Sequence, residues 1–315
     1  MKSRHPAWWA ALALLPLCVS VHAEYPERAL QVIVPFPAGG VVDSVSRRFS
    51  EVLADIVKQP VVVLNKDGAS GIIAMDLLAN APPDGYTVAF SPNGPLTIQP
   101  SLRKTTYDLK SFRPICQVSV ITYVLVVPAT SPITNLQQFV ARAKSEAGVK
   151  LAIGGVGTLP HFASLELQKA TSTKFLTVPY RGDPGVTLAV KAGDVDAGVL
   201  GVDTALAQEF RIVAAFSPQR LPFLPAAPTA REQGFDVVAA STTGLFAPGR
   251  VPSQVAGKLE AACAAITRDA RFVAALGQFK QEAAYLPGEQ FTAALAADAE
   301  EKRKLIEAVG IKQDQ

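Results

Sequence analysis

The stretch "VPFPAGGVVDSVSR", residues 34–47, closes an apolar strand, breaks into a Pro and Gly loop, and enters a helix carrying one early carboxylate, Asp43. Residues 30–34 ahead of it are β-prone. Behind it Val42, Val45, Phe49, Val52, Leu53 and Ile56 recur at helical spacing. A strand that passes through glycines into a helix is the βα unit of an α/β fold, in which ligands sit beyond the carboxyl ends of the strands.

The same pattern repeats along the chain. Residues 60–64 read as a strand, 65–71 as a loop, the following segment as a helix to about Asn80, 82–85 as a turn and 86–90 as a third strand. Strands alternating with helices predict parallel pairing through right-handed crossovers. A second set follows, with strands at 123–127, 151–153, 175–178, 195–200 and 211–215 and helices at 136–143 and 161–170. Residues 237–247 and the helices from 255 to 310 return toward the first set. Two α/β lobes account for this order: residues 24–122 plus 236–315 form a discontinuous first lobe, and 123–235 an inserted second lobe, joined by more than one crossing strand.

Residues 1–23 are set aside before any of this. Lys2, Arg4 and His5 precede an apolar run at 7–17, and Val21, His22 and Ala23 suit a signal peptidase, so a cleaved secretory leader is expected. The run is too short to anchor in a bilayer. Leu17 stands before Cys18 where a lipidation site wants a small residue, so no lipid anchor is expected. Without Lys2 and Arg4 the 30 basic side chains become 28 against 27 acidic ones, a nearly neutral chain with no basic run for nucleic acid. His161 is then the only histidine, and Cys116 and Cys263 the only cysteines. One histidine and no Cys-x-x-Cys make a zinc site unexpected. The two cysteines could pair in an oxidising compartment, but they lie far apart in sequence, one in an apolar strand-like stretch and one in an Ala-rich helix, settings that favour two separate buried thiols and leave the pairing open.

Three loops stand at strand ends: 35–40, 91–96 and 154–158. Glycine lets a backbone approach a ligand closely, and the helix that follows presents unpaired N–H groups and the positive end of its dipole, so the loops are candidate carboxylate cradles. Phosphate is the rival anion. Gly39 and Gly40 are followed by Val41 and Val42 rather than the lysine and hydroxyl of a nucleotide loop, and Pro160 occupies the third glycine of a dinucleotide fingerprint. Asp43 also reads as an ordinary helix-start residue, and His161 as a capping or packing group. Arg181 is a cation at a strand end whose alternative is a solvated surface. No Gly-x-Ser-x-Gly elbow is present, and a hydrolase would have to use His161 with no marked partner.

Taken in order, "YPERALQVIVPFPAGGVVDSVSRRFSEVL", "QPVVVLNKDGASGIIAMDLLANAPPDGYTVAFSPNGPLTIQPSL", "KLAIGGVGTLPHFASLELQKA", "TVPYRGDPGVTLAVKAGDVDAGV" and "GLFAPGRVPSQVAGKL" resemble the substrate-binding proteins of tripartite tricarboxylate transporters, the Bug or TctC-like family. The resemblance spans nearly all of residues 25–310. It implies an α/β periplasmic binding protein of type II, a Venus flytrap with hinge strands, that carries a small mono- or dicarboxylate to membrane permease subunits. It further implies a monomer with no cofactor and no catalysis. By the same resemblance a ligand carboxylate is held by Phe36, Pro37, Ala38, Gly39 and Gly40 with Asp43, and by Gly154, Gly157 and Thr158 with His161. Ser91, Asn93, Tyr180, Arg181 and Gly182 flank the site. Where many relatives carry an Asp-Asn pair, this chain has Leu200-Gly201 with Asp203 farther on, so a more apolar distal end is expected, which tells against a tricarboxylate or an amino acid and leaves an aromatic or aliphatic monoacid or a small dicarboxylate. An exported hydrolase, or the same flytrap signalling to a membrane kinase, are the other readings.

Overall fold

Successive strand residues alternate faces, so in β1 (Leu30–Val34) the side chains of Leu30, Val32 and Val34 join one core while Ile33 joins another across the sheet. Both faces are therefore covered. The computed structural model describes residues 25–310; the expected leader at 1–23 lies outside the described residues. After β1 come α1 (Val41–Val57), β2 (Val61–Asn65), α2 (Ile72–Ala79), β3 (Thr87–Pro92), α3 (Gly94–Thr97), α4 (Gln99–Leu102) and the long β4 (Phe112–Val127). The middle of the chain adds α5 (Leu136–Lys144), β5 (Lys150–Ile153), α6 (Leu159–Thr171), β6 (Leu176–Pro179), α7 (Gly182–Ala192), β7 (Ala197–Gly201), α8 (Val202–Ala207) and β8 (Arg211–Ala215). The return is β9 (Ala240–Pro248), α9 (Ser253–Ile266), α10 (Ala270–Gln278), β10 (Glu282–Pro287) and α11 (Gly288–Val309).

The sheet runs β2-β1-β3-β9-β4-β7-β5-β6, with β8 and β10 also on β4. Pairing is parallel within β2-β1-β3 and within β7-β5-β6, as the alternation predicts. It is antiparallel where β9 and β4 link the two groups. β4 makes the link because of its 16 residues: up to Thr122 it pairs with β9, and from Tyr123 onward with β7 and β8. The pattern of the sequence shows only the second half of this strand, since Pro114 and the polar residues of "RPICQVS" interrupt the apolar run. β10, hidden among the C-terminal helices, was likewise not expected.

Each half of the sheet is sandwiched by helices. In the first, Val45, Phe49, Val52 and Leu53 of α1 pack with Leu259 and Ile266 of α9 on one face, while α2 and α11 supply Met75, Leu78 and Phe291 on the other. In the second, α5 and α6 cover one face and α7 and α8 the other. Among the described residues no helix is long and apolar enough to cross a membrane.

Cys116 and Cys263 are both fully buried, as read, but they are bonded to each other, with their Cα atoms 6.4 Å apart. The expectation of two separate thiols is corrected. Their sequence separation of 147 carries no information about distance, whereas packing α9 against the start of β4 brings the two side chains together. The bond ties the returning segment to the first part of the chain.

The two halves also touch directly. Ile98 and Leu102 from the first meet Phe162 and Leu165 of α6, together with Leu305 and Ile306 of α11. Beside them the Lys302 ammonium, 4% exposed, pairs with Glu166 of α6 and lies 3.7 Å from Asp298. Removing one member of a buried ion pair strands the other charge, whereas replacing both with apolar groups does not. Lys302→Met is therefore expected to lower the unfolding free energy by about 3–5 kcal/mol, and the double substitution Lys302→Met with Glu166→Met to recover most of the loss, as read by chemical denaturation. A loss below about 1 kcal/mol in the single variant would mean that the pair is solvated and contributes as surface pairs do.

Candidate functional site

Five βα junctions, after β1, β3, β5, β6 and β7, end on one cavity of about 460 Å³ between the two halves of the molecule. Its floor is made by the crossing strands, through Ile121 and Tyr123 of β4 and Ser241 and Thr243 of β9. From the first half, Phe36, Val41 and Val42 line it; from the second, Thr158, Leu159 and Pro160. These are the first residues of α1 and α6 with the loops before them, so two helix N-termini meet the cavity from opposite sides.

The two junctions are built alike. Gly39 donates its backbone N–H to Asp43 Oδ2 at 2.8 Å, and Gly157 donates to His161 Nδ1 at 3.1 Å. In each case the acceptor is the third residue of the helix and the donor is the residue before the N-cap. The glycines have φ of +84° and +75°, a region where a Cβ is strained, and a Cβ on Gly157 would also stand 2.6 Å from Leu102 Cδ1. Neither helix has a side-chain N-cap bond, so the N–H groups of Val41, Val42 and Leu159 have no partner inside their own helices.

Asp43 and His161 are thus braces behind the cavity and not part of its wall. Asp43 also accepts from Arg47 Nε at 3.0 Å and from Asn65 Nδ2 at 2.8 Å, and Asn65 in turn holds the carbonyl of Phe36. Burial opposes ionisation of Asp43, but the hydrogen bonds from Arg47, Gly39 and Asn65 outweigh it and keep the carboxyl below its ordinary range. Burial pushes the His161 imidazole below its usual value, in keeping with an unprotonated Nδ1 that accepts from Gly157.

Of the residues expected at the site, Phe36, Gly157, Thr158 and Asp203 line the cavity. Pro37, Ala38, Gly39 and Gly40 form the exposed loop ahead of α1. Gly154 accepts from the N–H of Gly182 at 3.3 Å, which ties the β5 and β6 junctions together behind the wall. Ser91 and Asn93 lie beneath it, with Ser91 Oγ donating to the Pro92 carbonyl and Asn93 Nδ2 to Asp298. Tyr180 packs in the core under α7, and Arg181 is exposed at the start of that helix, off the cavity lining.

Several lining residues have no counterpart in the expected set, notably Gln99, Tyr123, Asp183 and Thr204. Asp183 directly follows Gly182 and opens α7, so the rule that βα junctions carry the site would have reached it one residue farther on. Gln99 lies in a short helix with no periodic signal. The expected apolar distal end is also corrected, because Asp183, Asp203 and Thr204 all face this part of the cavity. Asp183 accepts from the N–H of Gly201 at 3.3 Å. Burial raises both carboxyls above their ordinary range, and for Asp183 the neighbouring Asp203 adds to the effect. Burial and these two carboxylates push the Tyr123 hydroxyl upward as well. Among the described residues no group of three His, Cys, Asp or Glu side chains is placed to hold a metal ion.

A family profile described as "Tripartite tricarboxylate transporter family receptor" matches residues 45–311. A protein from Pseudomonas sp. (strain P51), described as a UPF0065 protein in the tcbD-tcbE intergenic region, is 34% identical over 266 residues, covering 80% of this chain and 79% of its own. A TctC solute binding protein from Polaromonas, solved without ligand, is 29% identical with a TM-score of 0.82 over 90% of this chain and 100% of its own. An R. palustris protein solved with adipate shares the fold at 23% identity and a TM-score of 0.77, over 92% and 99% of the two chains. With the profile spanning most of its length and the two-lobed fold in common, the chain belongs to the tripartite tricarboxylate transporter receptor family of solute-binding proteins.

Proposed function

We propose that this chain is a periplasmic receptor that captures a small mono- or dicarboxylate between its two lobes and delivers it to the permease subunits of a tripartite tricarboxylate transporter. The observation that carries the reading is the pair of uncapped helix N-termini, on α1 and α6, that meet one cavity lined, among the described residues, by no Lys, Arg or His side chain. Each terminus presents the equivalent of about half a positive charge. An anion held there is bound by backbone groups that cannot be deprotonated. The apolar leader at the N-terminus of the sequence supports export, and adipate in a protein of the same fold suggests where to begin the search for a ligand.

The lobes on this reading are residues 24–122 with 236–315, and 123–235. The exchange of partners along β4 at Thr122 and Tyr123 supports that division, as does the bond from the N–H of Tyr123 to the carbonyl of Ala239 at 3.1 Å, just before β9 returns. Charge-assisted hydrogen bonds contribute about 1.5–3 kcal/mol each, so three or four approach the ~8 kcal/mol of a micromolar complex before ordering costs. Closing the lobes over the ligand excludes water and keeps those bonds strong. A receptor, unlike a hydrolase, has no need of a base in the cavity, and His161 has its Nδ1 engaged by Gly157.

Two outcomes are expected. In a thermal-shift screen of the mature chain, at least one of succinate, malate, adipate, aromatic acids or amine-bearing acids should raise the unfolding temperature, with about 2.7 kcal/mol of stabilisation at a hundredfold excess over Kd. Stabilisation by sugars or metal ions and by none of the acids would reject the reading. The second outcome concerns His161. Because its folded pKa is lowered below the ordinary 6.5, the unfolded state takes up the proton first, and stability falls as pH drops from about 6.5 through the folded value. Affinity should fall in the same window, as Gly157 loses its acceptor. His161→Ala should weaken acid binding about tenfold at neutral pH, while His161→Asn, which keeps an acceptor near the Nδ1 position, should retain binding and abolish the pH dependence, as measured by calorimetry. A turnover that vanishes in both variants would instead identify a hydrolase.

A further inference from the structure

Two carboxylates stand in a cavity that was expected to hold an anion. A Cβ built on Gly201 would lie 2.6 Å from Asp203 Oδ1 and 3.5 Å from Asp183 Oδ2, so the two oxygens are no farther apart than the sum of those distances. Asp183 reaches this point from the start of α7, and Asp203 from the start of α8. Asp183 is met by the Gly201 N–H and the Thr204 hydroxyl, and Asp203 by the amides at the start of α8 and the same hydroxyl, all neutral donors. Among the described residues no cationic side chain lines the cavity to balance them.

A second feature points the same way. Gln99, 5% exposed, lines the cavity from the first lobe, and its Oε1 is buried without a hydrogen-bond partner. Its Nε2 donates to the Gly157 carbonyl at 3.4 Å, which fixes the amide so that the oxygen is left as an acceptor. A buried acceptor without a donor is costly unless a ligand supplies one. Three acceptors, two of them anionic, thus share a cavity whose own donors are all neutral: the helix amides of Val41, Val42 and Leu159 and side chains such as Tyr123, Ser241, Thr243 and Gln281.

We propose that the solute carries a protonated amine as well as a carboxylate, with the ammonium group held by Asp183 and Asp203 and a further donor taken by Gln99. The carboxylate rests on the reading above, at the N-termini of α1 and α6. A plain dicarboxylate would bring its second negative charge toward the Asp183 and Asp203 end, where like charges repel in a water-poor space. An ammonium at that end neutralises the pair and donates three hydrogen bonds. Leu200 and Gly201 matter here because glycine at 201 leaves the space into which both carboxylates turn.

The test is calorimetric titration of the mature wild-type chain and of the variant Asp183→Asn with Asp203→Asn. The probes are acids matched in length: 4-aminobutyrate against succinate, 6-aminohexanoate against adipate, and 2-aminopentanoate against pentanoate. For the wild type, the better-binding amine-bearing acids are expected to bind at least about tenfold more tightly than their counterparts. The variant should lose that preference and gain affinity for the dicarboxylates. Asparagine keeps an acceptor for the Gly201 N–H, so the ligand-free variant should unfold no earlier than wild type.

Dicarboxylates binding the wild type as tightly as their amine-bearing partners, or a variant with unchanged preference, would overturn the ammonium subsite and leave the carboxylate reading standing. Binding of a simple alkylamine with no response to any acid would keep the subsite and overturn the carboxylate reading. Binding of none of these probes, acid or amine, would overturn both.

Discussion

Everything at the cavity depends on one hydrogen-bond arrangement used twice. A side chain in the first turn of a helix, Asp43 in one lobe and His161 in the other, reaches back to the N–H of the glycine just ahead of the N-cap. A side chain used this way does not cap its own helix, and the first amides of α1 and α6 remain available. The glycine turn is meanwhile held in a backbone region that other residues enter only with strain. Two flexible loops become two rigid rims. The Asp43 carboxylate has its charge engaged by Arg47, Asn65 and the Gly39 amide, so it turns away from the cavity and is compatible with the anion site proposed a few residues away.

The rest of the fold positions these rims. Parallel strands send their carboxyl ends to the cleft from both lobes, and the antiparallel β4 and β9 carry the backbone between them twice. Around the cleft the contact between lobes is apolar at Ile98, Leu102, Phe162 and Leu305, and charged at the buried pair of Lys302 and Glu166. α6 takes part in both, since its N-terminus lines the cavity and its Glu166 meets α11. The cavity wall and the contact between lobes therefore share one helix.

Much of this was legible from residues alone. The βα pattern at 30–57 specified a parallel α/β lobe, and the same pattern from 151 onward a second one, because apolar periodicity is a local signal that packing did not override. Loop glycines at 39 and 157 pointed to two strand ends whose junctions meet at the cavity. What escaped has a common cause. The pairing of Cys116 with Cys263, the length of β4 across a polar interruption, β10 within a helical tail and Gln99 in the cavity all depend on contacts between segments distant in sequence, for which neither spacing nor composition gives a distance. Asp183 is different: the expected set stops at Gly182, one residue short, and only the fold brings the start of α7 close to Asp203 at the start of α8. The apolar end inferred from Leu200-Gly201 failed because the absence of charge at two positions says nothing of charge supplied by neighbouring loops.

The central claim is that backbone amides of two opposed helices, held open by Asp43 and His161, grip the anionic group. Proton and nitrogen NMR shifts of the mature chain, followed as the tightest-binding acid is added, test it most directly. The account predicts that the amide protons of Val41, Val42 and Leu159 move downfield together, with one saturation curve, and that the Gly39 and Gly157 amides stay near their ligand-free positions. Saturable binding that leaves the helix-start amides unmoved, with the shifts gathered instead around Arg181 or the outer surface, would contradict it.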